Sequence, residues 1–391
     1  MLKAKVHASQ TLALVQKVFE WKQAGKDVVS FAAGEPDFDT HPMVKEAAWK
    51  SLQAGNTKYV SSQGLLSLRQ AIAEDYRERL GVSWVGPENV LLTAGAKQGI
   101  YLALHTILNP GDEVLIPKPF WVSYPHVAEA AGGRAVFCAT QESQGFFPLV
   151  EDLERARTSK TKVLILSSPS NPAGTMIDTE LLKKIVSWCQ KHRIYFLFDE
   201  IYERLVLGQK SHHSVLEFYS QADSEFLISI NAFSKSLSMT GWRLGYVVAH
   251  QDNIAALTPL QGQMMTCLPG FLQDGATVGL KSAAQVMPKW IETFQQRARL
   301  MVQELQKIPG ARHTNPEGAF YICLNVEALM KARGLATDEA VASALLDEEL
   351  VACVAGSSFG MDGWLRLSFA TDESSIRKGV ERIRRFWTKR V

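Results

Sequence analysis

From residue 89 onward the chain alternates short apolar runs with longer stretches of helical periodicity, and this alternation constrains the fold more than any other feature. Residues 89–93, 113–117, 163–167, 194–198 and 226–230 read as buried strands. Residues 100–107 and 179–192 read as helices, the second with Thr179 as its N-cap, and Phe120 to Tyr124 stand at the head of another. Strands that alternate with helices pack as a parallel sheet covered on both faces, because each parallel crossover needs a long connection and a helix supplies it. The expected class is α/β, a doubly wound, mostly parallel sheet.

The rhythm differs at both ends. Helices over residues 8–24, 43–54 and 65–80 and a strand over 28–33 come first; beyond residue 285 a long helix over 289–308 and strands over 319–324 and 364–369 describe a smaller α+β domain. The expected division is a large domain over 46–285 and a small one assembled from 1–45 and 286–391, within reach of a chain of 391 residues. A net charge of +2 leaves no electrostatic footprint for nucleic acid, and the cations between Arg382 and Arg390 alternate with Ile383, Phe386 and Trp387 as on the wet face of a helix. No segment has the length of a membrane span, no secretory h-region precedes the first helix, and five scattered cysteines lack any C-x-x-C spacing. A cytoplasmic protein with reduced thiols and no metal is expected.

Functional groups of an open parallel sheet collect outside the carboxyl ends of its strands. Asn171 follows one strand, Asp199 ends the next and Lys235 follows a third; their separations of 28 and 36 residues each suit one strand-helix-strand unit. Lys235 and Arg243 flank an apolar stretch, so both cations are expected to be poorly solvated, and a buried amine that sheds its proton is a nucleophile towards aldehydes. Gly95, Ala96 and Lys97 open a helix on the same rim, where backbone N–H groups suit a phosphate; Ser234 and Arg243 could add to it. A ligand matching this set carries a phosphate, an aldehyde and a ring nitrogen able to share a proton with Asp199, and pyridoxal phosphate has all three. Taken singly these residues mean little: Asp199 would be a strand cap, Asn171-Pro172 a turn, Trp121 a core residue and Tyr59 a surface aromatic. Arg366, alternating with Leu365 and Leu367, is harder to dismiss. The G-x-S-x-G match at Gly356 to Gly360 is rejected as a hydrolase nucleophile at Ser358, because a strand follows it and no histidine lies beyond His313.

The segments GEPDFDT (34–40), TAGAKQG (93–99), SPSNPAGT (168–175), DEIYE (199–203), SKSLSMTGWRLGY (234–246) and LRLSFA (365–370) together resemble the aspartate aminotransferase family, most nearly its bacterial lysine-type aspartate/prephenate branch. The resemblance implies the pyridoxal phosphate-dependent transferase fold type I, a seven-stranded sheet with a smaller α+β domain, and a ping-pong aminotransferase. It implies that Lys235 carries the cofactor and shuttles the substrate proton, that Asp199 pairs with the ring nitrogen, and that Asn171 and Tyr202 bond the ring oxygen. Gly95, Ala96, Lys97, Ser234 and Arg243 match phosphate-side positions, with side-chain contact from the last two. Trp121 would stack on the ring, and Arg366 would clamp the substrate α-carboxylate with help from the Gly34 N–H. Tyr59 would reach the phosphate of a neighbouring subunit, which implies a homodimer with shared active sites.

For the substrate, Lys97, Ser9 and Thr11 match positions that receive a distal carboxylate, which favours aspartate and glutamate as donors and 2-oxoglutarate or oxaloacetate as acceptors. Residues 257–271 hold no arginine and instead offer Met264, Met265, Cys267, Leu268 and Phe271, a soft wall suited to apolar side chains. An aromatic, kynurenine or methionine aminotransferase is the alternative, and a C–S lyase sharing every cofactor residue a more distant one.

Overall fold

The structure, a computed structural model, describes residues 10–389. A helix (Gln10–Gln23) leads to β1 (Val29–Ser30), then come the loop carrying Gly34 and the helices Pro42–Gln53 and Leu66–Leu80. Next, β2 (Val90–Thr93), β3 (Glu113–Pro117), β4 (Arg134–Cys138), β5 (Thr161–Ser167), β6 (Tyr195–Asp199), β7 (Leu227–Ala232) and β8 (Gly245–Ala249) build one seven-stranded sheet in the order β2-β8-β7-β6-β5-β3-β4. β7, β6, β5, β3 and β4 run parallel, while β8 runs antiparallel to both of its neighbours. Side chains alternate across the sheet, so neighbouring residues enter different cores. Leu92, Leu115, Leu164 and Phe196 pack on one face; Leu91, Val114, Ile165 and Leu197 pack on the other. This double burial explains why the strands read as unbroken apolar runs.

The C-terminal part begins with the long helix Ala283–Leu305, which starts six residues before the expected one. It continues with β9 (Arg312–His313), β10 (Tyr321–Asn325), β11 (Val351–Ala352), β12 (Val354–Ala355) and β13 (Trp364–Ser368). Four of these form an antiparallel sheet ordered β12-β13-β10-β9, and β11 pairs parallel with β1, which ties the N-terminal segment to this part of the molecule. The terminal helix Glu373–Thr388 buries Ile376, Val380, Ile383 and Phe386 and leaves Arg377, Lys378, Arg384 and Arg385 on the outer side, while Arg382 turns in to the carbonyl of Asp27.

Several local expectations need correction. The N-cap of Thr179–His192 is Asp178, whose carboxylate accepts from the N–H groups of Glu180 and Leu181 at 2.9 and 3.2 Å and meets the helix dipole with a full charge. The helix expected to open with Phe120 starts at Ser123, leaving Phe120 to Val122 in a loop. Only two residues of the 28–33 strand pair, because their partner β11 is itself two residues long. β4, an edge strand absent from the expected set, has an apolar run of only four residues after Arg134, and its Phe137 faces outward. The stretch Gly356–Phe359 is a 3₁₀ turn between β12 and β13, with the Ser357 N–H held by Asp338, and not a strand-to-helix elbow.

Candidate active site

β5, β6 and β7 are adjacent in the sheet, and their register sets Ser167 beside Asp199 and Asp199 beside Ile230. Asp199 ends β6, Asn171 follows β5, and Lys235 sits on the single helical turn Phe233–Ser236 after β7. Of the residues predicted for the site, all but Gly95 and Tyr59 line one cavity of about 350 Å³. Gly95 stands just behind it as the N-cap of Ala96–Ile107, and Tyr59 lies on the surface, 85% exposed. Ser9 lies outside the described residues, and nothing is described of the Thr11 side chain.

Lys235 Nζ donates to the carbonyl of Gly34 at 2.5 Å. Burial pushes its pKa down to about 8, the charges of Arg366 and Arg243 act in the same direction, and Glu35 and Asp199 oppose them. Asp199 is displaced the other way: burial raises its carboxyl to about 6, against the pull of the Tyr124 hydroxyl at 2.8 Å and the Ile201 N–H at 3.2 Å. The two groups are thus brought towards each other on the pH scale, an amine that readily loses a proton facing an acid that readily keeps one.

The helix Ala96–Ile107 aims its N-terminus into the cavity. Gly95 adopts φ 79° and ψ 168°, a region essentially closed to other residues, and a Cβ there would come 2.6 Å from Arg243 Nη2. Arg243 donates to the carbonyls of Thr240 at 2.8 Å and Ala94 at 3.3 Å and is exposed at the mouth, contrary to the poorly solvated position expected for it. Lys97 lies 5.0 Å above the Trp121 ring, its pKa lowered by burial and by Arg243. An anionic group here would meet free N–H groups, the Ser234 hydroxyl and a guanidinium.

Across the cavity Arg366 is 3% exposed on β13. Its Nη1 donates to Asn171 Oδ1 and its Nη2 to the Ala32 carbonyl, both at 3.0 Å, while its buried Nε has no hydrogen-bond partner. Its hydrogen bonds among the described residues are to neutral acceptors and none is to a carboxylate; it rests between the rings of Tyr321 at 4.4 Å and Phe359 at 4.9 Å. A buried guanidinium without an anion is costly, and an orphaned N–H beside it marks where a ligand carboxylate would offset that cost.

Sequence reasoning missed Tyr124 and Tyr321. Tyr124 belongs to the FWVSY stretch, yet its bond to Asp199 spans 75 residues. Tyr321 reaches the hydroxyl of Tyr202 at 2.9 Å from the other sheet. The Val60 N–H meets Cys267 Sγ at 3.5 Å, bringing the Tyr59 loop beside the segment with Met264 and Met265, which are 50% and 38% exposed and do not line the cavity.

The chain as a whole is similar to known proteins. Residues 26–383 match the family model described as aminotransferase class I and II. The chain is 38% identical to an aspartate aminotransferase of Bacillus subtilis, covering 97% of this chain and 96% of the relative. It is also 38% identical to a probable aspartate/prephenate aminotransferase of Aquifex aeolicus, covering 96% and 95%. Among solved structures, the aspartate aminotransferase from Thermus thermophilus with maleate superposes with a TM-score of 0.92 at 34% identity, covering 99% of this chain and 100% of that one.

Proposed function

Because the chain belongs to the class I and II aminotransferase family, we propose that it is a pyridoxal phosphate-dependent transaminase that moves the amino group of L-aspartate or L-glutamate to a 2-oxo acid. The observation that carries this reading is one cavity holding a buried amine of depressed pKa, a buried carboxyl of raised pKa and a guanidinium with no counter-anion. The donor set suits the cofactor: N–H groups at a helix start and Arg243 for a phosphate, Lys235 for an aldehyde, Asp199 for a ring nitrogen, Trp121 for a flat face. Pyridoxal phosphate, when bound, supplies a carbonyl that amines attack and a pyridine ring that draws electrons from the amino-acid Cα.

The protein's own groups do the rest. Nζ of Lys235, neutral for a substantial fraction of the time near pH 8, is the base placed to take the Cα proton. Asp199 holds a proton on the ring nitrogen, and the Tyr124 hydroxyl keeps that carboxylate aligned. Arg366 receives the α-carboxylate on its free edge, which both acids of a ping-pong cycle present. Lys97, over Trp121, receives the distal carboxylate and selects aspartate and glutamate, in keeping with the names of the relatives. The exposed Tyr59 and the exposed Met264 and Met265 face a second copy, giving a cytoplasmic homodimer whose Tyr59 completes the neighbouring site. A large domain over 46–285 and a small one over 1–45 and 286–391 would close on the substrate between them.

The test is a panel of amino donors with 2-oxoglutarate, followed through the visible absorbance of the bound cofactor. Aspartate and glutamate should bleach and restore the band, and Lys235→Ala should abolish exchange. A colourless protein after reconstitution, or exchange that survives in Lys235→Ala, would overturn the reading.

A further inference from the structure

Tyr321 touches both halves of the site. It stands on β10, is 1% exposed and lines the cavity. Arg366 is registered opposite Cys323, so Tyr321, two residues away on the same strand, shares its face of the sheet and is its diagonal neighbour. The ring lies 4.4 Å from the Arg366 guanidinium, and the hydroxyl lies 2.9 Å from that of Tyr202, which comes from the loop after β6. The same hydroxyl approaches the Gly34 loop closely enough that a Cβ on Gly34 would sit 3.5 Å from it, and the Gly34 carbonyl is the one that holds Lys235.

The two ends of Tyr321 do different work. Both hydrogen bonds from Arg366 go to neutral acceptors, Asn171 and Ala32. An aromatic face attracts a cation through its quadrupole without neutralising it, so the ring can orient the guanidinium and leave its charge for a ligand carboxylate. A carboxylate in that position would orient it equally well but would occupy the site the ligand needs. At the other end, Tyr202 is buried and shares a hydrogen bond with the Tyr321 hydroxyl in which either oxygen can donate; once Tyr202 gives its proton to a ligand oxygen it can only accept here, and Tyr321 becomes the donor. A hydroxyl that accepts one hydrogen bond becomes a stronger donor of the next.

We propose that Tyr321 is a positioning residue coupling the carboxylate clamp to the cofactor side of the site, its ring orienting Arg366 and its hydroxyl strengthening Tyr202 as a donor to the cofactor's ring oxygen. This rests on the transaminase reading above. The two contributions separate by substitution: Tyr321→Phe removes only the hydroxyl, whereas Tyr321→Leu also removes the aromatic face.

The test uses the holoenzymes of wild type, Tyr321→Phe, Tyr321→Leu, Tyr202→Phe and the Tyr202→Phe/Tyr321→Phe double variant. Four quantities are read: the pH midpoint of the bound cofactor's absorbance, kcat and KM for aspartate, and the Kd of unreactive maleate. Tyr321→Phe should lower kcat about threefold to tenfold, the size of one net hydrogen bond, and keep maleate Kd within about twofold. The absorbance midpoint should rise by roughly half a unit as Tyr202 loses its support. Tyr321→Leu should add about a thirtyfold rise in maleate Kd, the size of one desolvated cation–π contact. The double variant should be no slower than Tyr202→Phe, since the hydroxyl acts through Tyr202. An unmoved midpoint with unmoved kcat in Tyr321→Phe, additive losses in the double variant, or maleate binding equal in Phe and Leu variants would overturn the proposal. Should Tyr321→Leu fail to fold, Tyr321→Met, which also lacks the aromatic face, takes its place in the maleate comparison. Absence of the absorbance band in the wild type would overturn the transaminase reading and this proposal with it, whereas an intact band with unaltered Tyr321 variants overturns this proposal alone.

Discussion

Replacing Tyr124 with Phe removes one oxygen from the contact with Asp199 and leaves the ring in place. The hydroxyl donates to Asp199 Oδ2 at 2.8 Å, and both residues are buried. A hydrogen bond to a charged acceptor contributes about 1.5–3 kcal/mol, and 1.36 kcal/mol is one pKa unit, so the carboxyl should rise by roughly 1–2 units. From its present value of about 6 it would move to somewhere near 7.5. In the proposed function the ionised carboxylate is the form that would retain a protonated ring nitrogen. At pH 6.5 the ionised fraction would fall about eightfold, and at pH 9 hardly at all. Pyridoxal phosphate affinity, measured by absorbance titration of the stripped protein, should follow: about eightfold weaker at pH 6.5 and within about twofold of wild type at pH 9. Stability gives a second readout. The folded state binds the Asp199 proton more tightly than the unfolded chain, so this group's contribution is complete below the ordinary carboxylate pKa of about 3.9 and is lost as pH rises through the folded value. For the cofactor-free wild type that loss should be over by a little above pH 6; for Tyr124→Phe it should continue for roughly another 1–2 units. A loss of affinity that is equal at both pH values, with an unchanged stability profile, would refute the assignment of Tyr124 as the group that keeps Asp199 ionised.

Three further outcomes follow from the same geometry. The depressed amine of Lys235 penalises the folded state while it is charged, so cofactor-free Lys235→Met should exceed wild type by about 2–3 kcal/mol at pH 7. That gap should close as pH rises from about 8 towards the ordinary lysine value, and a pH-independent gap in urea titrations would contradict it. Lys97→Ala should cost aspartate about a hundredfold in kcat/KM and phenylalanine less than about threefold, the difference expected of a desolvated ion pair; equal losses would make Lys97 a general cofactor contact. Gly95→Ala forces a Cβ into a glycine-only conformation and against Arg243, 2.6 Å away, so phosphate affinity should drop about tenfold while the chain still folds.

Much of the architecture is legible in the order of apolar and polar residues. The core strands are apolar along their whole length because both faces are covered, and a sequence records that directly. Spacing of one strand-helix-strand unit between Asn171, Asp199 and Lys235 is enough to place them on a common rim, since in a parallel sheet every crossover returns the chain to the same end. Edge strand β4 is not legible, because its apolar run is only four residues long and, with Phe137 outside and Cys138 inside, shows neither the unbroken burial of a central strand nor an apolar-polar alternation. Nor is the N-cap at Asp178: Asp and Thr compete for that role, and only the geometry of two N–H groups decides between adjacent residues.

The residues by themselves determined the class of sheet, the rim on which polar groups gather and the identity of the amine and the acid, because these follow from local periodicity and from chain-order rules. Tertiary packing alone decided how those groups ionise and what each one touches. Asp199 stays ionisable through a tyrosine 75 residues away. Arg366 is held by Asn171 and Ala32, 195 and 334 residues distant, and by the face of Tyr321. Burial and long-range hydrogen bonds are properties of the folded arrangement, so the chemistry of this cavity exists only once the two sheets have come together.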